Sequence, residues 1–268
     1  MIIIKDIENL KNIKLKDSAV AIGMFDSLHV GHLEIIKKLK SSNLKSCVFS
    51  FDIDNNCEML RKKNKIISSK TKQEILKNLY IDYYISPDFN KIKYISARDF
   101  VVELLINKLK SRLIICGEDF RFGVNRSGDI EFLKNISKEF NIELDIIKTR
   151  LINNKKISSS DIRLYISNGS ISLANQLLGR NFCLDFDIKN YKNKFLYQEI
   201  NNNFVAPADG KYLSIIKQDK KIIKTFTVIE TKKNLNFKQK IAKTYNINNI
   251  NNIIIKNNIK IELIDKIN

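Results

Sequence analysis

The chain contains no tryptophan, two prolines, eight glycines and two histidines among its 268 residues. Its four cysteines are far apart and form no Cys-x-x-Cys pair. This spacing argues against a structural zinc site and indicates free thiols in a reducing cytosol. No apolar run approaches the ~18 residues of a membrane span, and Met1–Asp6 lacks the basic region of a signal peptide. A cytoplasmic protein without a membrane segment is expected.

Acidic residues are also few, since 29 aspartates and glutamates accompany 47 lysines and arginines and leave a net charge of +18. Such a charge is typical of proteins with an anionic partner, for example a nucleotide, a nucleic acid or a membrane surface. The lysines are spread along the chain, however, whereas a nucleic-acid footprint should be focused. Compositional drift is therefore favoured over nucleic-acid binding, and the oligomeric state stays open.

Short apolar runs alternate with helical periodicity up to about residue 180. Strands are predicted at 18–24, 46–51, 81–85, 112–116 and 142–147, and helices at 31–40, 69–79, 97–109, 129–140, 158–167 and 171–178. This alternation implies βαβ crossovers and a parallel sheet. Beyond it, strands are predicted at 182–188, 211–216, 222–229 and 259–263, with one helix at 237–245. The fold class is α/β, with a Rossmann-like parallel-sheet domain over 1–180 and a small barrel-like antiparallel β domain over 181–268.

Both histidines lie in one loop. Gly23 ends the first predicted strand, and His29 and His32 flank Gly31 where the next helix begins. A helix N-terminus has unpaired N–H groups and a partial positive charge that suit a phosphate, and histidine suits chemistry near neutral pH. A phosphate site is therefore favoured over one packed and one exposed histidine.

Two further segments have side chains that suit phosphate. The loop Cys116–Asp129 contains three glycines, two arginines that can grip phosphate oxygens, and Asp119, which can accept from a ligand hydroxyl or assist a metal. Alone, it is equally typical of a strand-to-helix turn with solvated charges. The segment Ile157–Arg163 offers three serine hydroxyls at a helix start, with Arg163 about one turn in. By itself, such a serine-rich cap is common.

These segments resemble known motifs. His29-Val-Gly-His32 resembles the His-x-Gly-His signature of the nucleotidyltransferase superfamily, and Ser159-Ser160-x-x-Arg163 resembles its Ile-Ser-Ser-Thr-x-Ile-Arg segment. The longer matches are Ile22–His32, Gly117–Gly123 and Leu173–Arg180. Over about 18–182 the chain resembles the prokaryotic bifunctional riboflavin kinase/FMN adenylyltransferase (FAD synthetase) family.

The resemblance implies transfer of AMP from ATP to FMN, with release of pyrophosphate and with Mg²⁺ as the metal. The implied catalytic residues are His29, His32 and Arg163. The implied ATP-binding residues are Gly23, Phe25, Asp26, His29, His32, Gly117, Asp119, Arg121, Ser159, Ser160 and Arg163. The implied flavin contacts are Phe51, Asp119 and Phe120. No protein ligand is assigned to Mg²⁺, which the ATP phosphates carry.

Some positions depart from the family pattern. Met24 and Ser27 replace the Asn and second Gly of Gly-Asn-Phe-Asp-Gly, and Asp161 stands where the family often has Arg. The segment Ser50–Asn55 lacks the His and both prolines of Thr-Phe-x-Pro-His-Pro. Two alternatives therefore stay open: an adenylyltransferase for another phosphate ester, and a non-catalytic flavin- or nucleotide-binding protein.

The C-terminal part resembles the family's kinase domain only in part. Residues 181–204 contain neither Gly nor Pro, so the Gly-rich loop and the Pro-Thr-Ala-Asn motif are missing. Pro207–Tyr212 and Ile259–Ile264 do resemble strands of that domain. We expect a degenerate kinase domain without riboflavin kinase activity.

Overall fold

The structure is a computed structural model that describes residues 1–12, 15–51, 64–148, 151–152, 155–184, 190–192, 195–218, 221–234, 237–246 and 260–267. The chain forms two compact units. The first comprises Met1–Lys62 and Ser69–Lys156, and the second comprises Lys63–Ser68 and Ile157–Asn268. The sequence-based division at residue 180 remains a prediction.

The first unit is built on a six-stranded sheet in which every neighbouring pair is parallel. The strands are β1 (Ile2–Ile4), β2 (Ser18–Ile22), β3 (Lys45–Phe49), β4 (Tyr83–Ile85), β5 (Ser111–Gly117) and β6 (Glu143–Ile147). Their order across the sheet is β1-β4-β3-β2-β5-β6. The chain leaves β2 towards β3 on one side and returns later to β5 on the other. The carboxyl ends of β2 and β5 thus flank a switch point, where open α/β sheets bind ligands.

The five strands predicted for this sheet are confirmed, and β1 joins them at the edge. The α-helices of the unit are α1 (Val30–Ser41), α2 (Ser69–Asn78), α3 (Phe89–Ile92), α4 (Ala97–Asp99) and α5 (Ile130–Glu139). Two 3₁₀ turns lie at Ile7–Asn12 and Val124–Arg126. A short hairpin is formed by β7 (Leu151–Ile152) and β8 (Lys155–Lys156). Helix α4 continues into a π-helix over Phe100–Lys108. None of the helices described is both long and apolar enough to cross a membrane.

The core of the first unit contains a continuous series of phenylalanine rings. Consecutive ring centroids lie 5.3–6.0 Å apart, mostly edge to face. This is the favoured spacing and geometry of aromatic pairs. Its members, which we call the phenylalanine chain, are in order Phe89, Phe51, Phe49, Phe100 and Phe122, and both Phe120 and Phe132 contact Phe122 at its end.

The second unit contains two helices and an antiparallel sheet with a half-barrel curl. Its elements are α6 (Ser159–Ser167), α7 (Ile171–Leu178), β9 (Phe182–Leu184), β10 (Asn190–Lys192), β11 (Phe195–Glu199), β12 (Gly210–Gln218), β13 (Lys221–Asn234), β14 (Phe237–Asn246) and β15 (Lys260–Ile267). The strand order is β10-β11-β14-β13-β12-β15-β9. The amide of Asn175 on α7 fastens the helix to the sheet, because it donates to the carbonyls of Leu263 and Ile264 and accepts from the N–H of Phe182. The α/β class with a β-rich C-terminal part is confirmed.

One predicted element is wrong. The helix expected at 237–245 is strand β14, which pairs with β13 on one side and β11 on the other. Phe237, Ile241 and Tyr245 recur every four residues and imitate the apolar face of a helix. The two neighbouring strands decide the conformation instead. The polar composition of 52–65 and the many asparagines of 246–258 predict loops there, and both segments lie outside the described residues except at their ends.

Candidate active site

The site loop begins where β2 ends. Strand β2 is completely buried, and the N–H of Gly23 donates to the carbonyl of Phe49 over 3.2 Å. Phe25 and Leu28 are fully buried and both adopt φ values of +45°. For residues other than glycine this conformation costs roughly 1–3 kcal/mol each and persists only where the surroundings enforce it. The loop is therefore held in one strained conformation by the burial of these two side chains.

His29 is the N-cap of α1. Its backbone is extended, and its Nδ1 accepts a hydrogen bond from the N–H of His32 over 3.2 Å. A ring nitrogen that accepts cannot carry the proton, so the neutral imidazole holds its proton on Nε2. His29 thus satisfies one free N–H of the helix start with one nitrogen and keeps a donor on the other.

The two imidazoles, which we call the histidine pair, are stacked. The centroids of His29 and His32 lie 3.7 Å apart with the rings 8° from parallel, and the Phe25 ring meets His32 edge-on at 5.3 Å. A Cβ atom on Gly31 would lie 3.2 Å from Cε1 of His29, which explains the glycine between the histidines. The structure therefore places two parallel imidazoles on the first turn of a helix, where an anion is favoured.

Gly117 lies at the end of β5, which pairs directly with β2. A Cβ atom at Gly117 would contact Ile35 of α1 at 4.0 Å and the carboxylate of Asp119 at 3.4 Å. The two strand-end loops therefore lie at the same edge of the sheet. Asp119 is exposed, and its carboxylate pairs with the ammonium of Lys156 at 3.1 Å.

Arg121 pairs with a carboxylate. Its guanidinium donates to Asp129 over 2.7 Å, and Asp129 caps α5 by accepting from the N–H of Phe132. The hydrogen bonds from the Phe132 N–H and from Arg121 lower the pKa of Asp129 despite some desolvation. In this structure Arg121 therefore supports the start of α5, and its contact with ATP stays a prediction.

Two of the three glycines in this loop are required by packing. A Cβ atom on Gly123 would lie 2.8 Å from the backbone of Ala97, and one on Gly128 would lie 2.6 Å from the ring of Phe122. Gly123 also has φ of +72°, which favours glycine. Packing within the core therefore accounts for both glycines without any ligand.

The predicted phosphate residues of the third segment belong to the second unit. Ser158 caps α6, because its hydroxyl accepts from the N–H of Asp161 and donates to its carboxylate. Ser159 is half-buried and Ser160 exposed in the first turn. The Nε of Arg163 donates to the carbonyl of Asn64 over 2.6 Å.

The predicted flavin contacts Phe51 and Phe120 are both half-buried members of the phenylalanine chain. Phe51 lies edge-on to Phe89, and Phe120 stacks on Phe122 at 5.4 Å with 13° between the rings. Sequence reasoning missed the phenylalanine chain as a whole, because most of its members are far apart along the sequence. The Phe-x-Phe spacings at 49–51 and 120–122 were the local signs of it.

The two buried thiols do not suit nucleophilic catalysis. Cys47 and Cys116 are buried, and burial raises the pKa of each thiol to about 12, so both stay protonated. Within the described ranges, no three side chains of the His, Cys, Asp or Glu type form a metal-binding group. The candidate chemistry of the first unit therefore centres on the histidine pair.

A parallel sheet with a switch point, and a histidine pair at the helix entrance beside it, define an α/β domain of the nucleotidyltransferase type. The chain belongs to the FAD synthetase family, whose model matches residues 11–161.

Named relatives agree with this assignment. The bifunctional riboflavin kinase/FMN adenylyltransferase of Buchnera aphidicola subsp. Acyrthosiphon pisum (strain APS) is 36% identical over 192 residues, covering 69% of this chain and 61% of that protein. The FAD synthetase of Listeria monocytogenes is 27% identical over 209 residues, covering 74% and 82% respectively. The matched part thus spans about three fifths of the bifunctional relative.

The fold also matches a solved structure. The crystal structure of a macrolide-efflux protein from Streptococcus pneumoniae superposes with a TM-score of 0.85 at 22% identity, covering 100% of this chain and 91% of that chain. At this identity the likeness concerns the fold alone.

Proposed function

We propose that this chain transfers the AMP moiety of ATP to FMN, producing FAD and pyrophosphate. The observation that carries the proposal is the histidine pair, stacked on the first turn of α1 with the His29 donor fixed on Nε2. Membership of the FAD synthetase family and the names of its relatives support the choice of reaction. The buried free thiols suit a cytoplasmic setting.

In this reaction a phosphate oxygen of FMN attacks the α-phosphorus of ATP. A new P–O bond forms, the bond from the α-phosphorus to the bridging oxygen breaks, and pyrophosphate leaves with that oxygen. The substrate supplies the nucleophile, so the protein has to position two phosphates and stabilise the developing negative charge. We assign His29 and His32 to the α-phosphate and the bridging oxygen, where imidazole N–H groups stabilise that charge.

The remaining assignments follow the sequence motifs. Gly23, Phe25, Asp26 and Gly117 are proposed to frame the nucleotide, with Asp119 and Arg121 towards the reacting phosphates. Ser159, Ser160 and Arg163 are proposed for the β- and γ-phosphates, because hydroxyls and a guanidinium donate well to phosphate oxygens. Phe51 and Phe120, with Asp119, are proposed for the flavin.

Mg²⁺ is proposed to enter on the triphosphate. This small cation keeps several waters and is bound through one or two carboxylates plus phosphate oxygens. Asp26 and Asp119 are carboxylates among the proposed nucleotide contacts and would hold the ion together with the phosphate oxygens. When bound, the ion neutralises phosphate charge, and chelation by EDTA is expected to stop FAD formation.

The test is a chromatographic assay of FAD and pyrophosphate from ATP, FMN and Mg²⁺ with the purified protein. His32→Ala is expected to lower kcat by ~10²–10³ because one preorganised donor is lost. Lys37→Ala, on an exposed position of the same helix, serves as the control and should match the unaltered protein. Activity retained in His32→Ala contradicts the assignment of the histidine pair.

A panel of other phosphate esters, run in parallel, separates the alternatives. An adenylylated product from another ester, with none from FMN, would show that the acceptor is different. Absence of pyrophosphate with every acceptor would instead support a binding protein without catalytic activity.

A further inference from the structure

Lys72 lies on α2 and is only 5% exposed. Among the lysines, arginines and carboxylates in the described part of the chain, it alone is buried. Lysine is almost never buried without oxygen partners, because taking an ammonium group out of water is expensive. Its place inside the first unit therefore calls for a specific role.

The ammonium of Lys72 points to the site loop. It donates to the main-chain carbonyl oxygen of Met24 over 3.4 Å, and the hydroxyl of Ser50 donates to the same oxygen over 2.8 Å. Ser50 is itself buried and directly follows β3. Two separate elements, α2 and the end of β3, thus hold one carbonyl of the loop.

That carbonyl is connected to the histidine pair in short steps. The carbonyl of Met24 and the nitrogen of Phe25 form one rigid peptide plane. Fixing this plane restricts rotation about the N–Cα bond of Phe25, where φ is the unusual +45°. The Phe25 ring lies edge-on to His32 at 5.3 Å, and His32 stacks on His29 at 3.7 Å.

We propose that Lys72 is a positioning residue for the histidine pair. Through the Met24 carbonyl it holds Phe25 in its left-handed conformation, and the Phe25 ring then sets the orientation of both imidazoles. Neither substrate touches Lys72 in this role. The kinetic consequence rests on the proposed adenylyl transfer, whereas the effect on the imidazoles does not.

The experiment measures the ¹⁵N NMR signals of the imidazole rings. Because the chain has two histidines, the spectrum contains the signals of two rings only. Lys72→Met keeps an unbranched chain and removes the donor, whereas Lys72→Arg keeps a cationic donor. Lys77→Met, at an exposed position of the same helix, is the matched control.

Lys72→Met is expected to change the ring ¹⁵N chemical shifts of both histidines and to lower the population of the Nε2–H tautomer of His29. It should lower kcat for FAD formation by roughly 10–100-fold, since small misplacements of catalytic groups have effects of this size. The KM for ATP should change by less than about threefold, because substrate contacts are kept. Lys72→Arg should recover most of kcat, and Lys77→Met should resemble the unaltered protein.

Unchanged imidazole spectra in Lys72→Met, with kcat equal to that of Lys77→Met, would overturn the proposal. If Lys72→Met does not fold, Ser50→Ala removes the other donor and must shift the same two ring systems for the proposal to stand. If the unaltered protein makes no FAD but Lys72→Met still shifts the rings, the adenylyl transfer fails and the positioning role stands.

Discussion

The two ring nitrogens of His29 have different roles: Nδ1 accepts the capping hydrogen bond of α1, and Nε2–H is a donor. A substitution can remove one role and keep the other. Asparagine is also a good N-cap, so His29→Asn keeps an acceptor for the helix start but has no imidazole Nε2–H. We expect His29→Asn to keep the thermal midpoint of the protein within a few degrees while FAD formation falls by ~10²–10³. Calorimetry and the FAD assay measure the two effects.

His29→Ala provides the comparison. It removes both the cap and the donor, and the lost cap should lower the free energy of unfolding by about 0.5–2 kcal/mol. Equal activity of His29→Asn and the unaltered protein would mean that the imidazole is not the donor to the substrate.

Gly128 gives a second prediction at the scale of one residue. A methyl group there would lie 2.6 Å from the Phe122 ring and 2.9 Å from Cβ of Ala97. Gly128→Ala should therefore lower the free energy of unfolding by about 1–3 kcal/mol, the usual cost of overpacking. Urea denaturation measures it, and Gly117→Ala, whose closest contact would be 3.4 Å, should change stability much less. Similar losses for both variants would contradict this explanation.

Among the elements, β3 and β4 are joined at their amino ends by one carboxylate. Asp82 accepts from the hydroxyl and N–H of Ser46 and from the ammonium of Lys45. Partial burial raises the pKa of Asp82, but these hydrogen bonds outweigh it, and the pKa lies below its ordinary value of 3.8. A carboxyl with a lowered pKa in the folded state stabilises above its unfolded pKa, and that contribution is lost as the pH falls through the folded value.

Asp82→Asn should consequently reduce the free energy of unfolding by about 1 kcal/mol at pH 7, because an amide accepts more weakly than a carboxylate. The difference from the unaltered protein should shrink as the pH falls below 4. Urea denaturation from pH 7 down to pH 3 checks this. A difference that stays constant over that range would show that the charge of Asp82 is not involved.

Local patterns predicted most elements of the first unit, because buried parallel strands are continuous apolar runs and the helices have recognisable caps such as Ser96 and Asp129. The π-helix after α4 left no such sign. Its i→i+5 bond runs from the Leu109 N–H to the Leu104 carbonyl. Strand β14 was mistaken for a helix because the strands that pair with it lie elsewhere in the chain.

The residues of the candidate site likewise fall into those that a local sequence pattern could predict and those that it could not. The histidine pair was predictable because its members are three residues apart and flank a glycine. Lys72 and Ser50 were not, because they reach the Met24 carbonyl from separate elements. A sequence pattern identifies a motif, whereas the groups that hold the motif in shape are recognised only after folding.

On the scale of the whole molecule, the two units are expected to differ in activity. The second unit has an antiparallel sheet but lacks the Gly-rich loop and the Pro-Thr-Ala-Asn motif of the kinase that it resembles. We expect no FMN from riboflavin, ATP and Mg²⁺. FAD formation from added FMN in the same preparation is the control for folded protein, and FMN produced from riboflavin would contradict the prediction.

Strand β1 has a consequence for how the first unit is assembled. Its residues Ile2–Ile4 pair with Tyr83–Ile85, about eighty residues later, and with no earlier strand among the residues that the structure describes. During synthesis β1 must therefore wait, with Ile2 and Ile3 unpaired, until β4 has left the ribosome. Bringing together two strands so far apart along the chain costs chain entropy, and this cost arises before the contacts between the strands have formed. Docking of β1 is thus expected to be a late step of folding, and it adds the outermost strand of the sheet.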